Sequence, residues 1–391
     1  MKSYIAHLEC TACGAEWPHT QPQRVCPTCG KVLFPRYDLD SVRREVHPVV
    51  FAGRASTLWR FFELLPVLDQ ANVVSLGEGG TPLLRAEALG RRLGLKRLYI
   101  KDEGLNPTGT FKARGLSVAV SKAKELGIRR VTMPSAGNAA GALAAYAARA
   151  GIEAHLFMPR DAPAANRIEC QALGARLTLV DGHIGDAGRL SRQAAAEQGL
   201  FDMSTLQEPY RVEGKKSMAL ELAVELGWQM PDAIIYPTGG GTGIIGMHKA
   251  FQEMLSLGWA EGPLPKFIAV QAAGCQPIVK AFHAGAERAE PWPDPQTVAQ
   301  GLKVPGPFAD YLILKVLRET GGTALAVEDA EMLAAVREMA SLEGVFACPE
   351  GAATLAGLRK LLDQNTFRGD ERIVLLNTGT AYKYLDALGE G

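Results

Sequence analysis

Four cysteines stand near the start of the chain as two pairs, Cys10-x-x-Cys13 and Cys26-x-x-Cys29, with twelve residues between the pairs. Glycine follows the second cysteine of each pair, at Gly14 and Gly30. Two such knuckles let four thiolates converge tetrahedrally on one zinc ion, and the glycines let backbone amides turn toward sulfur. The alternative is four unrelated buried cysteines that share this spacing by chance. Four sulfurs leave no coordination position for water, so the expected metal is a structural Zn2+ held by Cys10, Cys13, Cys26 and Cys29. Cys170, Cys275 and Cys348 are isolated and read as small buried apolar residues. His7 and His19 read as surface residues rather than ligands.

A second reactive pattern is Asn106-Pro107-Thr108-Gly109-Thr110-Phe111-Lys112-Ala113-Arg114-Gly115. Pro107 and Gly109 make a turn, and Thr110 is placed to cap the helix that follows. Lys112 then falls in the first turn, where a cation opposes the helix dipole. An exposed lysine there is harmless. A lysine held in a cleft there is more easily deprotonated, which Schiff-base chemistry requires.

Three further loops offer ligand contacts. Thr238-Gly239-Gly240-Gly241-Thr242-Gly243 follows the strand-like DAIIYP and precedes the helical IIGMHKAFQEML. Such a turn presents backbone amides and a helix N-terminus to a phosphate. It has neither the spacing of a dinucleotide fingerprint nor the lysine of a P-loop, so a phosphate-bearing cofactor other than NAD or ATP is expected. A generic tight turn is the bland reading. Pro134-Ser135-Ala136-Gly137-Asn138 closes a strand and opens an alanine-rich helix, and its amides could hold a carboxylate. On sequence alone, Asn138 reads as a helix cap. Finally, Asn377-Thr378-Gly379-Thr380 follows the last strand, where open α/β sheets place their ligands.

These loops need a scaffold. RLYIKD, RRVTMP, EAHLFMP, ARLTLV, DAIIYP, KFIAVQ and ERIVLLN read as buried parallel strands. Between them lie GLSVAVSKAKELG, NAAGALAAYAARAG, KKSMALELAVELG and DAEMLAAVREMASLEG, helical in period and ending in glycine. The alternation predicts α/β architecture with two open, mostly parallel lobes and a ligand cleft at the strands' carboxyl ends. The crowded aromatics of WRFFELLPVL predict a helix packed on the main body.

Composition excludes several classes. In 391 residues, 42 lysines and arginines balance 42 aspartates and glutamates, so no net field draws nucleic acid or an anionic membrane. Hydrophobic residues make up 47%, enough for a large core and too many for disorder. No apolar run approaches the roughly 20 residues that cross a bilayer, and MKSYIAHLEC does not read as a secretory signal. Seven cysteines, four in close pairs, fit a reducing cytoplasm better than a disulfide framework.

In the order SLGEGGTPLL, NPTGTFKARG, serine-x-glycine-asparagine, PTGGGTG and NTGT, the chain resembles the fold type II pyridoxal-phosphate enzymes, of tryptophan synthase β-like architecture. Within them it resembles the threonine synthases, many of which carry a cysteine ribbon. The resemblance implies a zinc ribbon over residues 1–40. It also implies a large cofactor-binding domain over 41–87 and 205–391, and a small α/β domain over 88–204. It further implies that Lys112 forms the Schiff base with pyridoxal 5'-phosphate and shuttles protons. Asn138 would bond the ring 3-hydroxyl, Gly239, Gly240, Gly241, Thr242 and Gly243 would cradle the phosphate, and Thr378 would face the ring nitrogen. Ser135, Ala136 and Gly137 would grip the carboxylate of an amino-acid substrate. A homodimer is expected on the same ground.

Two positions depart from that pattern. Ala113 stands where threonine synthases usually have aspartate, and resembles threonine dehydratases there. Leu206 lies where a residue donating to the substrate phosphate is usual, and leucine cannot donate. Arg211 is retained and could pair with a phosphate or simply open the helix in solvent. The leading expectation is a lyase converting O-phospho-L-homoserine and water to L-threonine and phosphate, by γ-elimination and β-addition of water. The rival enzyme is a serine/threonine dehydratase, making a 2-oxo acid and ammonia. A zinc-ribbon regulator that binds the cofactor with Lys112 idle is the rival from another class.

Overall fold

Three sheets organise the computed structural model, which describes residues 1–389. β1 (Ile5–Cys10), β2 (Glu16–Trp17) and β3 (Leu33–Tyr37) form an antiparallel sheet in the order β2-β1-β3. Next in the chain come β4 (Leu83–Arg85), β5 (Arg97–Asp102), β6 (Arg130–Pro134), β7 (Glu153–Pro159), β8 (Arg176–Val180) and β9 (Phe201–Asp202). The last are β10 (Ala233–Pro237), β11 (Lys266–Ala272), β12 (Thr323–Val327) and β13 (Arg372–Asn377). All seven segments expected as buried parallel strands are strands. The ribbon strands, β4, β9 and β12 are additions.

The chain forms two compact units interleaved in sequence. The first contains Met1–Gly80, Lys112–Leu220 and Glu253–Trp259. The second contains Thr81–Phe111, Glu221–Gln252 and the chain from Ala260 onward. The sequence reading starts a small domain at residue 88, whereas β5 pairs with β13 in the second unit. Strand partnership is a tertiary choice that an apolar run such as RLYIKD does not encode locally.

The first unit holds the antiparallel sheet and a parallel sheet of order β8-β7-β6-β9. Its helices include Lys112–Glu125, Asn138–Ala150 and most of Arg211–Glu225. The alanine-rich Asn138 helix packs against the Lys112 helix, where small side chains allow close approach. The segment expected as a helix at WRFFELLPVL is a buried 3₁₀ turn, Leu58–Leu64. Leu65 precedes Pro66 and adopts the extended φ −117° and ψ 154°, since proline disfavours α geometry in the residue before it.

The second unit holds a sheet of order β12-β11-β10-β13-β5-β4, parallel except for β4. β10 is buried along its whole length, as a central strand covered on both faces must be. Ile100, Ile235, Val270 and Leu375 from four of these strands meet in one apolar core. β10 and β13 are neighbours, so the glycine-rich loop and Thr378 leave adjacent strands at one carboxyl edge.

Candidate functional site

In the first unit, Lys112 is the first residue of its helix, as expected. Thr110 and Phe111, just before it, belong to the second unit, where Thr110 forms a β-bridge with Gly379 and the Phe111 amide donates to the Thr378 carbonyl at 3.0 Å. The chain entering the lysine is therefore tied to the strand end that carries Thr378. The Lys112 helix crosses the Arg211 helix where neither can carry a side chain. A Cβ on Gly214 would lie 2.1 Å from the Arg114 carbonyl oxygen, and one on Gly115 would lie 2.8 Å from that of Arg211. Buried Arg114 donates to Ser217 Oγ at 2.8 Å across the same crossing.

Glu78, from the SLGEGG segment, anchors this region and was not foreseen. It is fully buried and accepts from Trp59 Nε1 (2.8 Å), Ser117 Oγ (2.5 Å), Tyr146 OH (2.7 Å) and the Leu76 amide (2.8 Å). One carboxylate thus joins the Lys112 and Asn138 helices to the loop before them.

Two fully buried lysines are paired with carboxylates. In the second unit Lys101 Nζ lies 3.0 Å from Glu221 and 2.8 Å from Glu225. In the first, Lys216 lies 2.8 Å from both Glu213 and Glu253.

Ser135–Asn138 and Met203–Arg211 follow β6 and β9, which are paired neighbours. Ser135 Oγ accepts from the Gly137 amide at 3.2 Å. Gly137 occupies the cap position of the alanine-rich helix and Asn138 is its first helical residue, which corrects the expectation that Asn138 caps. Arg211 is 1% exposed rather than solvent-facing. Its Nη1 donates to the Met203 carbonyl at 2.7 Å, while Nε is buried with no hydrogen-bond acceptor. A buried donor without an acceptor costs about 1–3 kcal/mol and is found where a ligand or water supplies the missing partner. The Tyr210 hydroxyl is a second such group. Glu208, buried beside them, accepts from the Tyr210 and Arg211 amides, and burial lifts its carboxyl to about 7. Leu206 is buried at φ 59°, offering a side chain that makes no polar contact.

In the second unit, Gly239–Gly243 joins β10 to the helix Thr242–Leu257. The Ile245 amide donates to the Gly241 carbonyl at 3.1 Å, so the preceding first-turn amides have no intrahelical partner. The loop admits no side chains. A Cβ would lie 2.2 Å from the Gly301 carbonyl at Gly239, 2.3 Å from Ile313 at Gly241 and 1.7 Å from the Tyr236 hydroxyl at Gly243. Gly241 also has φ 75°, which glycine adopts without strain. Bare amides at a helix N-terminus, beside Thr242, fit a phosphate. Thr378 lies 3.8 Å from the Cys348 sulfur, and Asn377 donates to Asp102 Oδ1 at 2.7 Å. Within the second unit, the loop amides, Thr242 and the Thr378 hydroxyl are donors of the kind a phosphate-bearing ring would need.

The ligand atoms of Cys10, Cys13, Cys26 and Cys29 all lie within 4.8 Å of one another. Gly14 and Gly30 adopt φ 70° and 71°, and their amides return to the Cys10 and Cys26 carbonyls. This arrangement fits a tetrahedral ion. Among the described residues no helix is long and apolar enough to cross a membrane.

Residues 74–379 match the family model described as pyridoxal-phosphate dependent enzyme. The threonine synthase of Methanosarcina acetivorans is 38% identical over 96% of this chain and 92% of its own length. That of Methanocaldococcus jannaschii is 37% identical over 97% of this chain and 93% of its own. Among solved structures, processed threonine deaminase isoform 2 from Solanum lycopersicum superposes with a TM-score of 0.68 at 22% identity. It covers 95% of this chain and 98% of that one, a likeness of fold.

Proposed function

The chain belongs to the pyridoxal-phosphate-dependent enzyme family, and within it we propose that it is a threonine synthase, converting O-phospho-L-homoserine and water to L-threonine and phosphate. The observation that carries this reading is the likeness to two archaeal threonine synthases over nearly the whole chain.

Pyridoxal phosphate, when bound, supplies an aldehyde that captures amines and a ring that accepts charge from the adjacent carbon. Lys112 is the amine that would hold it. Gly239, Gly240, Gly241, Gly243 and Thr242 would hold its phosphate, Asn138 its 3-hydroxyl and Thr378 its ring nitrogen. A neutral hydroxyl at Thr378 cannot enforce the ring protonation that an aspartate would.

The chain's own residues then have separable tasks. The Ser135-Ala136-Gly137 loop orients the substrate carboxylate. The freed Lys112 amine removes the α-proton, gives that proton up before it takes a second from Cβ, and later returns protons to Cγ and Cα, which requires a single base to act several times. Arg211 meets the phosphate that departs from Cγ, and its buried Nε is the donor open to it. Water adds at Cβ.

Ala113 and the apolar, buried Leu206 favour the dehydratase reading instead. Inorganic phosphate released from phosphohomoserine, against 2-oxo acid formed from threonine, separates the two in one assay. We further propose a structural zinc on the four cysteines. The protein acts in the cytoplasm as a homodimer. Seven cysteines, four of them in close pairs, fit a reducing compartment, and light scattering reads the assembly state.

A further inference from the structure

The cysteine module reaches the segment that carries Arg211, a contact unrelated to holding a metal. Arg24 lies in the loop between the two cysteine pairs, two residues before Cys26. Its Nη2 donates to Asp202 Oδ2 at 2.6 Å. Asp202 is 1% exposed and ends β9, and its other oxygen accepts from the Ser204 amide at 2.8 Å and the Ser204 hydroxyl at 2.5 Å. Met203, between them, donates its amide to Thr132 and offers its carbonyl to Arg211 Nη1 at 2.7 Å. A second tether lies two residues beyond Arg211, where Tyr37, the last residue of β3, donates to Glu213 Oε2 at 2.7 Å.

A carboxylate this deeply buried requires charged and hydrogen-bonding partners, and without them it moves toward water. Arg24 is the cation in contact with it. Movement of Asp202 toward water would carry the adjoining Met203 carbonyl with it, and that carbonyl is what fixes the Arg211 guanidinium. We propose that Arg24 is a positioning residue for phosphate recognition, acting through Asp202 and Met203 on Arg211. This rests on the reading of Arg211 as the partner of the substrate phosphate. It makes the cysteine module part of the specificity apparatus and not only a folding unit.

The test compares wild-type holoenzyme with Arg24→Ala and Arg24→Lys, with Arg211→Ala as a control. Hydrogen exchange is measured without substrate, and kcat and KM with phosphohomoserine. In Arg24→Ala, peptides spanning residues 202–211 should exchange about tenfold faster, while those spanning 112–125 are unchanged. The KM should rise about tenfold with kcat within about twofold, and zinc and cofactor content should match wild type. Arg24→Lys should restore most of both effects, because it keeps the charge. Unchanged exchange across 202–211 overturns the proposal, as does faster exchange with an unaltered KM. An equal fall of kcat and kcat/KM overturns it as well. If Arg211→Ala leaves KM unchanged, the phosphate reading fails separately, and the exchange comparison alone decides whether Arg24 holds the segment.

Discussion

Lys112 opens its helix half-buried, whereas Lys101 and Lys216 are fully buried. Lys101 and Lys216 each sit between two carboxylates that anchor their side chains. Borohydride reduction of the holoenzyme should therefore attach cofactor to the peptide containing Lys112. Lys112→Ala should lose both the adduct and all turnover, and mass spectrometry of the trapped peptide checks the assignment. Adduct at Lys101, Lys215 or Lys216 would refute it. Glu208 gives a second outcome at this scale. Burial raises its folded value to about 7 from the ordinary glutamate value of 4.5. A carboxyl raised in this way contributes fully to stability below its unfolded value, and the contribution is lost as pH rises through the folded value. Denaturant unfolding of wild type and Glu208→Gln should thus show a stability difference that shifts by up to about 3 kcal/mol between pH 4.5 and 8. A difference independent of pH would contradict the burial argument.

Elements show which parts of the sequence speak locally. All seven apolar runs are strands, and Gly151 and Gly344 end their helices in left-handed geometry as their spacing implied. The glycine loop and Lys112 were legible because strand-to-helix turns carry their chemistry in consecutive residues. Glu78 and Gly214 were not, because their partners are distant in sequence. Glu78 reads as a charged loop residue until Trp59, Ser117 and Tyr146 converge on it. Gly214 reads as a weak point in a helix until Arg114 is seen against it. Gly214→Ala should therefore destabilise the protein, where helix propensity alone predicts a gain. The clash with a carbonyl oxygen at 2.1 Å cannot be relieved by a rotamer, and overpacking of this kind costs about 1–3 kcal/mol. Chemical denaturation measures the sign, and a more stable variant would show that the crossing is loose.

Across the whole molecule, one chain builds two sheets whose carboxyl edges carry different ligand groups. The first unit presents Ser135–Asn138 and Arg211 after neighbouring strands, and the second presents Gly239–Gly243 and Thr378 after neighbouring strands. The cysteine module belongs to the first unit and is tied to it through Arg24 and Tyr37. Metal analysis of native protein should find about one zinc per chain. Chelation should lower the unfolding temperature, because four uncompensated thiolates no longer hold the module together. Native protein without zinc, or unchanged stability after its removal, would make the four cysteines irrelevant to the fold.

In the proposed reaction phosphate leaves from Cγ and water adds at Cβ, so the oxygen of the new hydroxyl comes from solvent. Turnover of phosphohomoserine in oxygen-18 water, followed by mass spectrometry of the products, tests it most directly. The account predicts threonine with one oxygen-18 atom in its β-hydroxyl, formed in equal amount with phosphate. Formation of homoserine would mean hydrolysis of the phosphate ester alone. A 2-oxo acid made from threonine, with no phosphate released from phosphohomoserine, would contradict the account.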